Sequence, residues 1–85
     1  MTDIEFDVLD ELYFVIGFNQ LQQELDIGED TLKETLRALL NKGWIKCFLS
    51  VGGEAVQGEI DFDNKYKKYY YLASKTGLLA HNGRM

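Results

Sequence analysis

Thr31, Lys33, Glu34, Arg37 and Asn41 are the side chains of this sequence best spaced to do chemistry together. Thr31, Glu34, Arg37 and Asn41 recur at three- and four-residue intervals, so a helix would set them along one side, with Lys33 on its flank. The chemistry is hydrogen bonding to a polyanion and its bases. A guanidinium at Arg37 can pair with guanine O6 and N7 in a major groove, and Glu34 can accept from cytosine N4. Arg37 can equally pair with Asp30, Glu34 or Asn41 on its own helix. Lys33, Lys42 and the run Lys65-Tyr66-Lys67-Lys68 can touch phosphates, which set affinity and register but carry no sequence information. The same lysines also suit a solvated edge that discourages strand-to-strand aggregation.

Other chemistry finds less support. Tyr69, Tyr70 and Tyr71 can form a stacking platform for single strands, but strand alternation sends Tyr70 away from its neighbours, which favours packing. Trp44 reads as a core or interface anchor. Cys47, in an apolar strand, reads as an inert buried thiol. His81 lacks nitrogen or sulfur co-ligands nearby, so no metal is expected. Asp61 to Lys65 fails as a calcium loop, because Lys65 stands where an oxygen ligand belongs and the required glycine is missing. Gly52, Gly53 and Gly58 fit no phosphate-cradling spacing. One cysteine and one histidine make a poor nucleophile–base pair. No cofactor and no enzymatic activity are expected.

The elements that would position the first set follow from apolar periodicity. Thr2 or Asp3 can cap a first helix carrying Val8, Leu9 and Leu12, with Asp3, Glu5 and Asp7 favoured by its dipole. Tyr13 to Ile16 suits a short strand, and Gly17 marks a break. Asn19 can cap a second helix, with Gln22 as its capping-box partner. Residues 27–30 make a turn. Residues 31–42 form a third helix with Leu32, Leu36, Leu39 and Leu40 on its buried side, ended by Gly43 in a left-handed cap. Trp44 to Leu49 is a strand, residues 50–64 a long loop, Tyr66 to Ala73 a returning strand, and Ser74 opens a last helix through Ala80. The expected fold is α+β: a single small winged helix-turn-helix domain over residues 1–85, with a three-helix core and a two- to three-stranded antiparallel wing sheet.

The stretch Leu32-x3-Leu36-x2-Leu39-Leu40-x2-Gly43-Trp44-Ile45 resembles winged-helix regulators of the MarR and PadR kinds. Tyr70-Tyr71-Leu72-Ala73-Ser74-Lys75-Thr76-Gly77 is similar to their step from the wing into a final helix. Together the two span most of residues 19–80. The resemblance implies a transcriptional regulator that binds double-stranded DNA, with residues 31–41 as recognition helix and residues 50–65 as wing. Thr31, Lys33, Glu34, Arg37, Asn41, Lys65, Lys67 and Lys68 are then the nucleic-acid-binding residues. It also implies a homodimer on two half-sites, joined through the first and last helices.

Charge supplies the alternative. The chain carries a net −5 over 85 residues, which disfavours non-specific affinity for nucleic acid. Residues 1–26 hold seven carboxylates and no Lys or Arg, while the remainder balances at +2. Asp30 and Glu34 fall on the outer side of the third helix, and Glu54, Glu59, Asp61 and Asp63 fall in the loop. A winged-helix adaptor that binds a protein partner and not DNA fits that pattern. A lone cysteine suits a reducing cytoplasm. The absence of a long apolar run and the acidic N-terminal residues predict neither a membrane span nor a signal peptide.

Overall fold

The computed structural model of the chain describes residues 1–56 and 60–83, so the loop residues Gly58 and Glu59 lie outside it. Thr2 starts α1 (Asp3–Glu11) with a capping box. The Glu5 amide donates to Thr2 Oγ1 at 3.2 Å and the Thr2 amide donates to Glu5 Oε1 at 2.9 Å. Two donors that the helix cannot satisfy internally are thus satisfied reciprocally. Glu5 is also buried, and Lys42 Nζ donates to its Oε2 at 2.7 Å. Burial raises the Glu5 carboxyl pKa, but the Lys42 hydrogen bond and the Thr2 amide outweigh it and leave the group below its ordinary value.

That sign sets a pH dependence. A lowered folded-state value adds stability above the unfolded value of 4.5 and loses it as pH falls through the folded value. Glu5→Gln should therefore lower stability at pH 7 by about 1–2 kcal/mol, held to that range by the half-exposed Lys42. Thermal melts of the two proteins should converge as pH drops below 4.5; a constant gap down to pH ~3 would show that the charge contributes nothing.

The chain then turns through Tyr13 and Phe14, both exposed, and only Ile16–Gly17 forms β1. The strand expected from Tyr13 is shorter because Tyr13 turns to His81 and Phe14 is left exposed. α2 (Phe18–Leu25) begins one residue before Asn19, with Gly17 at its cap and no side-chain cap bond. The capping box expected from Asn19 and Gln22 does not form. Burial of Phe18 fixes the entry instead, and Gln22 Nε2 donates to the Ile27 carbonyl at 3.2 Å. Asp26 ends α2 in the left-handed region at φ 50°.

α3 (Glu29–Asn41) starts two residues earlier than residue 31, capped by Gly28. Glu29 and Asp30 in its first turn complement the helix dipole. Leu32, Leu36 and Leu39 are fully buried, Leu40 is half-buried against the core, and Thr35 is buried with its hydroxyl donating to the Thr31 carbonyl at 2.7 Å. Gly43 caps the end at φ 73°, where a side chain would be strained. β2 (Ile45–Phe48) follows. Beyond it the Val56 amide donates to the Cys47 carbonyl at 2.7 Å and Phe48 bridges to Ala55. The expected long loop also contains a short helix, α4 (Phe62–Lys65), seated by the buried Phe62. β3 (Tyr70–Ala73) therefore begins four residues after Tyr66, and α5 (Lys75–Gly83) closes the fold.

Five helices and a three-stranded antiparallel sheet of order β1-β3-β2 make a small mixed α/β domain among the described residues. β3 sits centrally, pairing Ile16 with Tyr71 on one side and Ile45 with Ala73 on the other. One core holds Val8, Leu9, Leu12, Phe18, Leu21, the three leucines of α3, Cys47 and Tyr71. Tyr69 and Tyr71 are buried and Tyr70 is half-buried, as strand alternation requires. Burial pushes the Cys47 thiol up to about 12, so it stays protonated and unreactive at neutral pH. Trp44 packs on the core with Lys42 Nζ 4.7 Å above its ring. Among the described residues no helix is long and apolar enough to cross a membrane.

Candidate nucleic-acid interface

α3 carries most of the expected site. Its first turn projects from the Gly28 cap, so Thr31, Glu34 and Asn41 lie exposed along its outer side and Arg37 sits among them half-exposed. The helix brings Glu34 to Arg37 at i,i+3, with carboxylate oxygens 3.2 and 3.3 Å from Nε. α4 adds a second carboxylate from 26 residues further on: Arg37 Nη2 donates to Asp63 Oδ1. Arg37 Cζ also lies 5.3 Å from the centroid of the Phe62 ring. The guanidinium is therefore held by two carboxylates and one aromatic face.

Lys33 shares this arrangement. Its Nζ stands 4.6 Å from the Tyr66 ring centroid and 4.0 Å from Asp63 Oδ1. One helical turn thus separates two cations that converge on one carboxylate, each over its own aromatic ring. The Arg37 hydrogen bond holds Asp63 below the usual carboxylate range, and Asp63, then Glu34, hold the guanidinium above its ordinary value.

The lysine run sits beside the start of α3, from the last residue of α4 through the turn that leads to β3. Lys67 Nζ pairs with Glu29 Oε1 at 2.8 Å, and the Tyr66 hydroxyl donates to Glu29 Oε2. Lys67 and then Tyr66 draw the Glu29 carboxyl below its ordinary value. Lys65 and Lys68 are exposed in the same turn. Lys42 stands apart from this cluster, bound to Glu5 at the far end of the helix.

The structure brings together Lys33, Arg37 and, through Glu29, Lys67. Asp63, Glu29, Phe62 and Tyr66 are the members that sequence spacing misses. The His81 ring stacks on Phe6 with centroids 4.2 Å apart, and the Tyr13 hydroxyl lies 2.9 Å from its Nδ1. Asp10 Oδ1 lies 3.4 Å from its Nε2 but out of hydrogen-bond geometry, so that buried nitrogen has no hydrogen-bond partner. The histidine joins α5 to α1.

No family model, curated protein or solved structure matches this chain.

Proposed function

We propose that the chain is a winged-helix domain that binds duplex DNA through α3 and acts as a small transcriptional regulator, as a homodimer. The element order supports the fold reading. β1 lies between α1 and α2, a short turn joins α2 to α3, and two antiparallel strands follow with β3 between β1 and β2. The observation that carries the DNA reading is the outer side of α3, where Thr31, Glu34 and Asn41 are exposed beside the half-exposed Arg37, with Lys65, Lys67 and Lys68 at its flank. A helix enters a major groove with such a row facing base edges, while flanking lysines meet phosphates. No catalytic step enters this reading.

A second reading follows from a different observation. Lys33, Arg37 and Lys67 are each met by carboxylates of the chain itself. A face neutralised in this way suits a protein-binding adaptor.

Titration of duplex DNA at two salt concentrations separates the two. If α3 enters the groove, Glu34→Gln tightens binding and Arg37→Ala weakens it by about 1–3 kcal/mol. Lys67→Ala weakens binding evenly across sequences and reduces the salt slope by about 1. Absence of saturable binding at low salt, in wild type and Glu34→Gln alike, would sink the regulator and leave the adaptor.

A further inference from the structure

We propose that Asp63 is an internal competitor for Arg37, a carboxylate that holds the free protein in a low-affinity state and must be exchanged for a nucleic-acid acceptor when α3 binds. This rests on the DNA-binding reading of α3. Four features of the α3–α4 contact point to it. The Asp63 carboxylate is the point on which both Arg37 and Lys33 converge. Its own side chain is 66% exposed, so it can swing away without disturbing the core. The helix that carries it cannot leave so easily, because Phe62 is 7% exposed and packs in the core. Phe62 and Tyr66 also keep the two cations over their rings once the carboxylate is gone. The contact is a side-chain latch on a fixed mount.

The consequence is quantitative. Only the fraction of molecules with Arg37 released is competent for a base or phosphate contact, and the apparent affinity falls by that fraction. Arg37 already neutralised by Asp63 also displaces fewer counterions on meeting DNA than a solvated arginine does. Removing the carboxylate should therefore raise affinity and steepen the salt dependence together.

The test measures binding of a labelled G·C-containing duplex, about two helical turns long, by fluorescence anisotropy at two salt concentrations. Wild type is compared with Asp63→Asn, Asp63→Ser, Arg37→Ala, the Asp63→Asn/Arg37→Ala double variant and Asp61→Asn, with thermal melts confirming that each is folded. Asp61 is an exposed carboxylate on the same stretch that bonds Asn64, so it controls for charge alone. Both Asp63 variants should tighten binding about tenfold and raise the salt slope by about 1, and the gain should vanish without Arg37. Asp61→Asn should change affinity by less than about twofold. An equal gain from Asp61→Asn, or a gain that survives loss of Arg37, overturns the latch in favour of simple charge. Unchanged binding in the Asp63 variants, with Arg37→Ala still weakening wild type, overturns the latch and keeps the DNA reading. No saturable binding in any variant removes both.

Discussion

Gly77→Ala is expected to destabilise the protein by about 3 kcal/mol or more, at the upper end of overpacking costs. A Cβ at position 77 would stand 2.0 Å from the Trp44 carbonyl oxygen and 2.9 Å from its carbon. Neither atom can retreat cheaply. The Trp44 amide donates to the Leu39 carbonyl at 3.0 Å, and the Ser74 amide donates to the Trp44 carbonyl at 2.8 Å. The Ser74 hydroxyl donates to the Gly43 carbonyl at 2.7 Å and accepts from the Gly77 amide at 3.1 Å. The helix-ending turn after α3 and the first turn of α5 are thus sewn together at van der Waals limits. Urea denaturation should show a lower midpoint with an unchanged slope. Gly83→Ala, in the same helix with open space around it, is the comparison. An alanine at 77 that unfolds within about 0.5 kcal/mol of wild type would mean that α5 does not sit on Trp44.

The second large effect lies at the centre of the leucine stripe. Leu36→Ala should cost about 2–5 kcal/mol, the sum of lost apolar transfer and the void left behind. Leu36 is fully buried, with Leu32 and Leu39 on either side of it in the same stripe. A domain of this length holds roughly 5–10 kcal/mol in all, so this one truncation consumes a large share of it. A midpoint within experimental error of wild type would show that the site can collapse around the smaller side chain.

The two predictions also show what a reader of the sequence can and cannot see. The stripe was legible because Leu32, Leu36 and Leu39 repeat with the period of a helix, and Gly43 follows at the one place where a left-handed residue is needed. The seat of Gly77 against Trp44 was not, since the residues lie 33 apart and nothing local records the approach. The start of α2 misled for a related reason. Asn19 and Gln22 look like a capping box, but burying Phe18 decides where that helix begins. α4 has four residues and is too short to show a period. In the candidate site, Glu34 was a visible partner for Arg37 because i,i+3 neighbours meet on any helix. Asp63 was invisible, since it reaches Arg37 only after the chain has travelled around β2 and its hairpin.

The central place of β3 has a bearing on how the molecule is made. Among the described strands β1 and β2 do not pair with each other; both pair with β3, which begins at Tyr70. Synthesis runs from the N-terminus, so both outer strands are made before the strand that joins them. The α1–α2–α3 bundle can gather as it emerges, because its contacts are near in sequence. The sheet cannot, since Ile45 and Cys47 find their ladder partners Ala73 and Tyr71 only once β3 slots between β2 and β1. Assembly of the sheet is therefore a closing insertion and not a progressive zipping, because its central strand is the last of the three in the chain.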